Sequence, residues 1–338
     1  MGKSNKKFMV LSALGIIMVV DAHTWNGLSL FSNIFPYNSF FMPMFFFISG
    51  YFNKVGKDTK LTAYIARKFR SLMLPYAAFS AVLFVLELIM NRMIKGTGTA
   101  DLPGEMLLGF MNVFMGVPSS ILSPMWFIHS LFVVLVVYAV IKKLLGKRWN
   151  SFLMLGLFFL LGLVSVYISK HFSYNEYPLL CPLLKCFFAL PFIELGIIYR
   201  DHLETRLASF LDLEYMTGFI SPYLVTPFIS SIIGILFWVT VVDVIYKPLG
   251  NNKIINYISE NTMRILSLHL FFFNILNCIL LIIHRYIAPL KDFAFEEISW
   301  YRWEPIPQFK LMYFIFGLLG PLLVKLLYDK VRSAMNKK

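Results

Sequence analysis

The side chains of this chain that could do chemistry are few, and they stand in apolar surroundings. His23 closes the first apolar run, GIIMVVDAHTWNG, with Asp21 two positions before it. An ionisable side chain inside a hydrocarbon-length segment is expensive, so one found there is a functional candidate by default. The competing reading puts both residues at a membrane–water boundary, facing solvent. His269 lies within a late apolar segment, SENTMRILSLHLFFF, and His129 within PMWFIHSLF. A lone helix histidine is more often a hydrogen-bonded core group than a catalyst, and the membrane setting raises the functional odds. Imidazole titrates near neutral pH, which suits it to take a proton from a hydroxyl. Asp21 would orient His23 only where the helix unwinds, because positions two apart on a regular helix do not face each other.

Other charges stand in or near apolar runs. Lys185 and Glu194 could pair across helices or line a polar cavity, and Asp243 reads as a solvated residue near a helix end. Arg67, Lys68 and Arg70 form a basic block just before Leu74-Pro75-Tyr76. That block is either a stop-transfer cluster facing anionic lipid head groups or a phosphate-binding rim. No Walker loop, dinucleotide glycine fingerprint, zinc spacing or nucleophile elbow is present. Cys181, Cys186 and Cys278 all lie in or beside apolar runs and read as packing residues, not as a disulfide frame.

The elements that must position these groups are membrane helices. Of 338 residues, 58% are hydrophobic and 14% charged, against ~25% charged in a soluble domain. The net charge of +13 comes from basic residues clustered in short loops between apolar runs. This is the positive-inside pattern of a multi-pass membrane protein, not a nucleic-acid surface. A span needs about 20 mostly apolar residues. Nine runs qualify: 8–20 extended to His23, 40–52, 72–90, 126–145, 152–168, 179–199, 219–246, 264–283 and 312–327. The segment 53–70 reads as a basic cytoplasmic connection, and 97–123 as a connection with a short interfacial helix. Basic tails at both ends place both termini in the cytoplasm, which requires an even number of crossings. The expected fold is an all-α polytopic membrane protein of ten spans, one of them a short or re-entrant crossing over 207–224 buried against protein. No linker divides the chain, so residues 1–338 read as a single membrane domain. The first run lacks a cleavage site and reads as a retained span.

Taken in order, several segments resemble a known family: the run ending in His23, then FFMPMFFFISGYF, ARKFRSLMLPY, PMWFIHSLFVV, FFALPFIELGIIYR and INYISENTMRILSLHLFFF. Together they resemble membrane acyltransferase family 3, and within it the fucose-4-O-acetylase-like branch. The resemblance covers most of the chain. It implies about ten spans with cytoplasmic termini. It also implies transfer of an acyl group, usually acetyl from cytoplasmic acetyl-CoA, to a hydroxyl of a cell-surface polysaccharide or lipid-linked glycan. The thioester is already activated, so the chemistry calls for no metal.

Under that resemblance His23 falls on the first-span histidine, the general base, with Asp21 beside it where an apolar residue is usual. Arg67, Lys68 and Arg70 fall on the basic cluster expected near the coenzyme A phosphates. Trp126 and Phe127 match a tryptophan–phenylalanine pair at the start of the fourth span, and Asn261, Thr262 and His269 match a late motif. Trp126, His129, Asn261 and His269 are thus the expected acceptor-binding residues. Ser12 stands where the family has an arginine or lysine, Phe8, Met9 and Val10 where an acidic residue is usual, and Ser259 where a glycine is usual. Ser12 favours an alternative: a catalytically decayed member that serves glycan export. The expected setting is the cell membrane, with lipid around the protein and a homodimer as the assembly.

Overall fold

The computed structural model describes residues 3–24, 40–56, 59–95, 102–116, 120–171, 180–204, 226–286 and 306–335. Among these the secondary structure is helical throughout. The helices are α1 (Lys3–Ala22), α2 (Phe41–Tyr51), α3 (Leu61–Lys68), α4 (Leu74–Lys95), α5 (Leu102–Phe114), α6 (Trp126–Leu145), α7 (Ser151–His171), α8 (Leu180–Ile198), α9 (Thr226–Leu249), α10 (Lys253–Glu260), α11 (Thr262–Tyr286) and α12 (Lys310–Met335). Within the described residues, each of the nine apolar runs forms helix. Seven helical stretches among the described residues are long and apolar enough to cross a membrane: Leu61–Ile89, Ile121–Arg148, Ser151–His171, Leu180–Leu203, Thr226–Leu249, Thr262–Leu280 and Lys310–Met335. Outside that set, α1 carries Lys6, Lys7 and Asp21, and α2 has only 11 residues. The crossing expected over 207–224 lies outside the described residues.

α1 is the centre of the bundle. It packs against α2, α9, α10, α11 and α12, and Val10, Ala13, Ile16 and Val20 along it are fully buried. α7 lies at the periphery, with its main packing on α8 and Leu153, Leu157, Leu160 and Val164 exposed. Their four- and three-residue spacing makes one stripe, which suits contact with lipid. α5 packs on α4 and exposes Leu107, Leu108, Phe110 and Phe114. It is the short helix expected within 97–123.

The basic connection 53–70 contains more helix than its charge suggests. α3 begins at Leu61 and runs into α4 through a π-helical turn, Phe69–Met73. Pro75 has no N–H, and its ring would collide with the carbonyl four residues back. The chain widens ahead of it, and the Leu74 N–H reaches the Phe69 carbonyl. Arg67, Lys68 and Arg70 therefore sit on one continuous helical rod with the third span.

α2 and α8 make the tightest crossing. A Cβ at Gly50 would overlap the Ile193 carbonyl, and one at Gly196 would overlap the Phe47 carbonyl, so only glycine lets the two backbones approach this closely. Arg200, just past α8, donates to the Tyr51 and Asn53 carbonyls at 2.9 and 2.8 Å. A cation at a helix C-terminus meets carbonyls left without intrahelical partners. Tyr51 in turn donates to the Glu204 carboxylate at 2.9 Å. Near this end α1 begins: Lys7 pairs with Asp243 of α9, and Lys6 donates to Asn251, just ahead of α10, at 2.5 Å. Asp243 is thus ion-paired, where a solvated side chain was expected.

Candidate active site

α1 stops at Ala22, and the side chains that follow take over its last carbonyls, which have no partner within a helix. His23 Nδ1 lies 2.7 Å from the Val19 carbonyl oxygen. Thr24 donates to the Asp21 carbonyl through Oγ1 at 2.8 Å and through its N–H at 2.9 Å. A carbonyl only accepts, so His23 carries its proton on Nδ1, and Nε2 is the basic nitrogen. The helix does unwind at this point, as an orienting role for Asp21 would require. The observed partner of His23 Nδ1 is the backbone of Val19, and the Asp21 side chain is buried two residues away.

His23 faces a cavity of about 200 Å³ lined by Val19 and His23 of α1, Phe41 and Met42 of α2, Trp126 of α6 and Leu266 of α11. Ser123 and Pro124 of the 3-10 turn before α6 complete the wall. Sites that enclose a whole small molecule run to about 300–1,000 Å³, so this cavity suits the reacting end of a ligand. Behind His23 stands His269. The two rings meet edge to face, with centroids 4.9 Å apart and planes at 62°. α10 and α11 run beside α1 from the Lys6–Asn251 bond at one end to this ring contact at the other. His269 is fully buried, and its Nδ1 lies 3.0 Å from the Ile265 carbonyl.

The expected site residues divide into those the fold gathers and those it separates. His23 and Trp126 line the cavity, and His269 stands against His23. Lys185 of α8 places its ammonium 4.6 Å from the Trp126 ring centroid, while Glu194 accepts from Tyr138 at 2.5 Å. The two do not pair with each other. His129 turns toward Tyr76, with ring centroids 6.0 Å apart. Gly116 has φ +69, and a Cβ there would enter the His129 ring. The cavity lining therefore includes Trp126 of α6 but not His129. Asn261 sits at the break between α10 and α11. It donates to the Tyr257 carbonyl at 2.8 Å and accepts from Arg264 at 2.7 Å, so it holds the break together and positions a guanidinium within the span.

Arg67 and Lys68 stand over the Tyr64 ring at 5.8 and 5.7 Å, and Arg70 is exposed. Tyr64 donates to Asn53 at 3.2 Å, which ties the basic block to the C-terminal end of α2. The cavity takes residues from the N-terminal end of the same helix. Eleven residues of helix span about 16 Å, so block and cavity lie at opposite ends of α2. Arg264 opens the run 264–283, and a charge at the edge of an apolar segment is the signal in the sequence that points to it.

A model of the acyltransferase 3 family, described as an acyltransferase domain, matches residues 8–328. No curated protein and no solved structure matches the chain. The matched region runs from Phe8 in α1 into the last turns of α12, so it takes in His23 and His269, the cavity and the basic block. The chain belongs to the acyltransferase 3 family and is a multi-pass membrane acyltransferase.

Proposed function

We propose that the protein transfers an acetyl group from cytoplasmic acetyl-CoA to a hydroxyl of a cell-surface polysaccharide or lipid-linked glycan, with His23 as general base. The observation that carries this reading is the state of His23: Nδ1–H is committed to the Val19 carbonyl, and the ring forms part of the cavity wall. As the acceptor oxygen attacks the thioester carbonyl, its proton passes to His23 Nε2. When the carbon–sulfur bond breaks, that proton goes to the departing thiolate. The products are the O-acetyl ester and free coenzyme A. Positioned proton transfer of this kind contributes about 100- to 10,000-fold.

The donor's phosphates belong with Arg67, Lys68 and Arg70, and its pantetheine arm would cover the length of α2 between that block and His23. Trp126 offers an aromatic face to a sugar ring, with Lys185 behind it. Asp21 adds a buried carboxyl near the base, and Asn261 acts on the site through Arg264. The setting that fits is the cell membrane, with both termini cytoplasmic and ten crossings.

Acetyl-CoA binding and hydrolysis by the detergent-purified chain test this reading. Wild type is expected to bind the donor and hydrolyse it slowly, and His23→Ala to bind without hydrolysis. Absence of donor binding by wild type would overturn the proposal.

A further inference from the structure

We infer that His269 is a positioning residue that stabilises the protonated form of His23, an inference that rests on His23 being the base. Both rings use Nδ1–H on the carbonyl four residues back, Val19 for His23 and Ile265 for His269. Both therefore carry their lone pair on Nε2. His269 Nε2 is buried with no hydrogen-bond partner among the described residues. A buried acceptor without a donor costs stability, and a leucine or methionine would fill the same space without that penalty. Packing alone thus gives no reason for an imidazole here.

Its neighbour supplies the reason. The His23 ring stands edge to face at 4.9 Å, between His269 and the cavity. While His23 is neutral, it asks little of His269. Once His23 takes the acceptor proton, a full positive charge appears beside a neutral imidazole, whose lone pair and ring face are electronegative. His269 is fully buried, so the attraction is screened less than it would be in solvent. An interaction made only after proton transfer favours the transition state over the ground state, and so raises kcat without tightening substrate binding. His269 does not line the cavity, so it acts through His23 and not on the substrate.

The test compares two variants of nearly equal size in the full-length purified protein, with acetyl-CoA hydrolysis as the readout. His269→Gln keeps a buried acceptor, and His269→Met removes it. The expected result is that His269→Met lowers kcat by about tenfold or more with KM for acetyl-CoA unchanged, while His269→Gln recovers most of the rate. Equal rates in the two variants overturn the inference, even if both are slower than wild type, because packing would then explain the loss. A change confined to KM overturns it as well. His23→Ala separates the two levels. If it keeps the wild-type rate, the base reading fails and this inference fails with it. If it is inactive while Gln and Met variants match, only the role of His269 is refuted.

Discussion

Glu194 and His23, two ionisable groups inside the bundle, are held in different ways. Glu194 of α8 is fully buried: Tyr138 donates to its Oε2 at 2.5 Å, Lys142 reaches the Tyr138 hydroxyl at 3.4 Å while standing over the Trp149 ring, and Oε1 has no hydrogen-bond partner among the described residues. Removing the donor leaves a buried carboxyl short of a partner, which costs about 1–3 kcal/mol. Tyr138→Phe is therefore expected to lower the melting temperature in detergent, and Tyr138→Phe combined with Glu194→Leu to recover part of it. Full additivity of the two changes would show that the pair is uncoupled. His23 is an opposite case in energy. It supplies one capping bond to the Val19 carbonyl, worth about 1 kcal/mol. His23→Ala should thus melt close to wild type, so that its loss of hydrolysis cannot be ascribed to unfolding.

Among the helices, α2 matters beyond its 11 residues. Phe41 and Met42 at one end line the cavity, Tyr51 at the other bonds to Glu204, and Gly50 lets α2 lie against α8 between these anchors. A shift of α2 off α8 would move the cavity wall. Gly196→Ala puts a methyl group into the Phe47 backbone and is expected to lower both melting temperature and hydrolysis rate. Gly156→Ala on α7 has open space around the added Cβ and should change neither, or raise stability slightly through better helix propensity. Comparable losses in the two variants would sink the argument for a close-packed α2–α8 crossing. The run 40–52 was readable as an apolar segment, whereas its shortness makes sense only with α8 behind it. A glycine's role in contact between helices depends on what it faces, which local sequence does not state.

Across the whole molecule, chemistry and charge stand at different places. The cavity lies at the far end of α1, and the basic residues Lys6, Lys7, Arg67, Lys68 and Arg200 gather near its start or near the C-terminal end of α2. That separation suits a long donor with charge at one end and a reactive thioester at the other. Arg67 is exposed and Arg70 likewise, so removing both should cost little stability. The Arg67/Arg70 double alanine is expected to weaken acetyl-CoA binding at least tenfold, and the remaining affinity should depend less on salt than that of wild type. Unchanged binding, measured by titration calorimetry in detergent, would return these residues to the lipid head groups.

The sequence by itself determined that this is a multi-pass helical membrane protein, and it picked out the histidines. Hydropathy is a sum over about 20 neighbouring residues, and a charge inside such a run is conspicuous without knowledge of what surrounds it. Resemblance in the order of six segments added the acyltransferase family. Only the tertiary structure decided that His23 meets His269 while His129 turns to Tyr76, that Glu194 takes Tyr138 and not Lys185, and that Asn261 serves Arg264. These pairings follow from which helix faces meet, and that depends on glycines at crossings, a proline just after a π turn and a break between α10 and α11. Such relations join segments far apart in the chain, and no local period in the sequence encodes them.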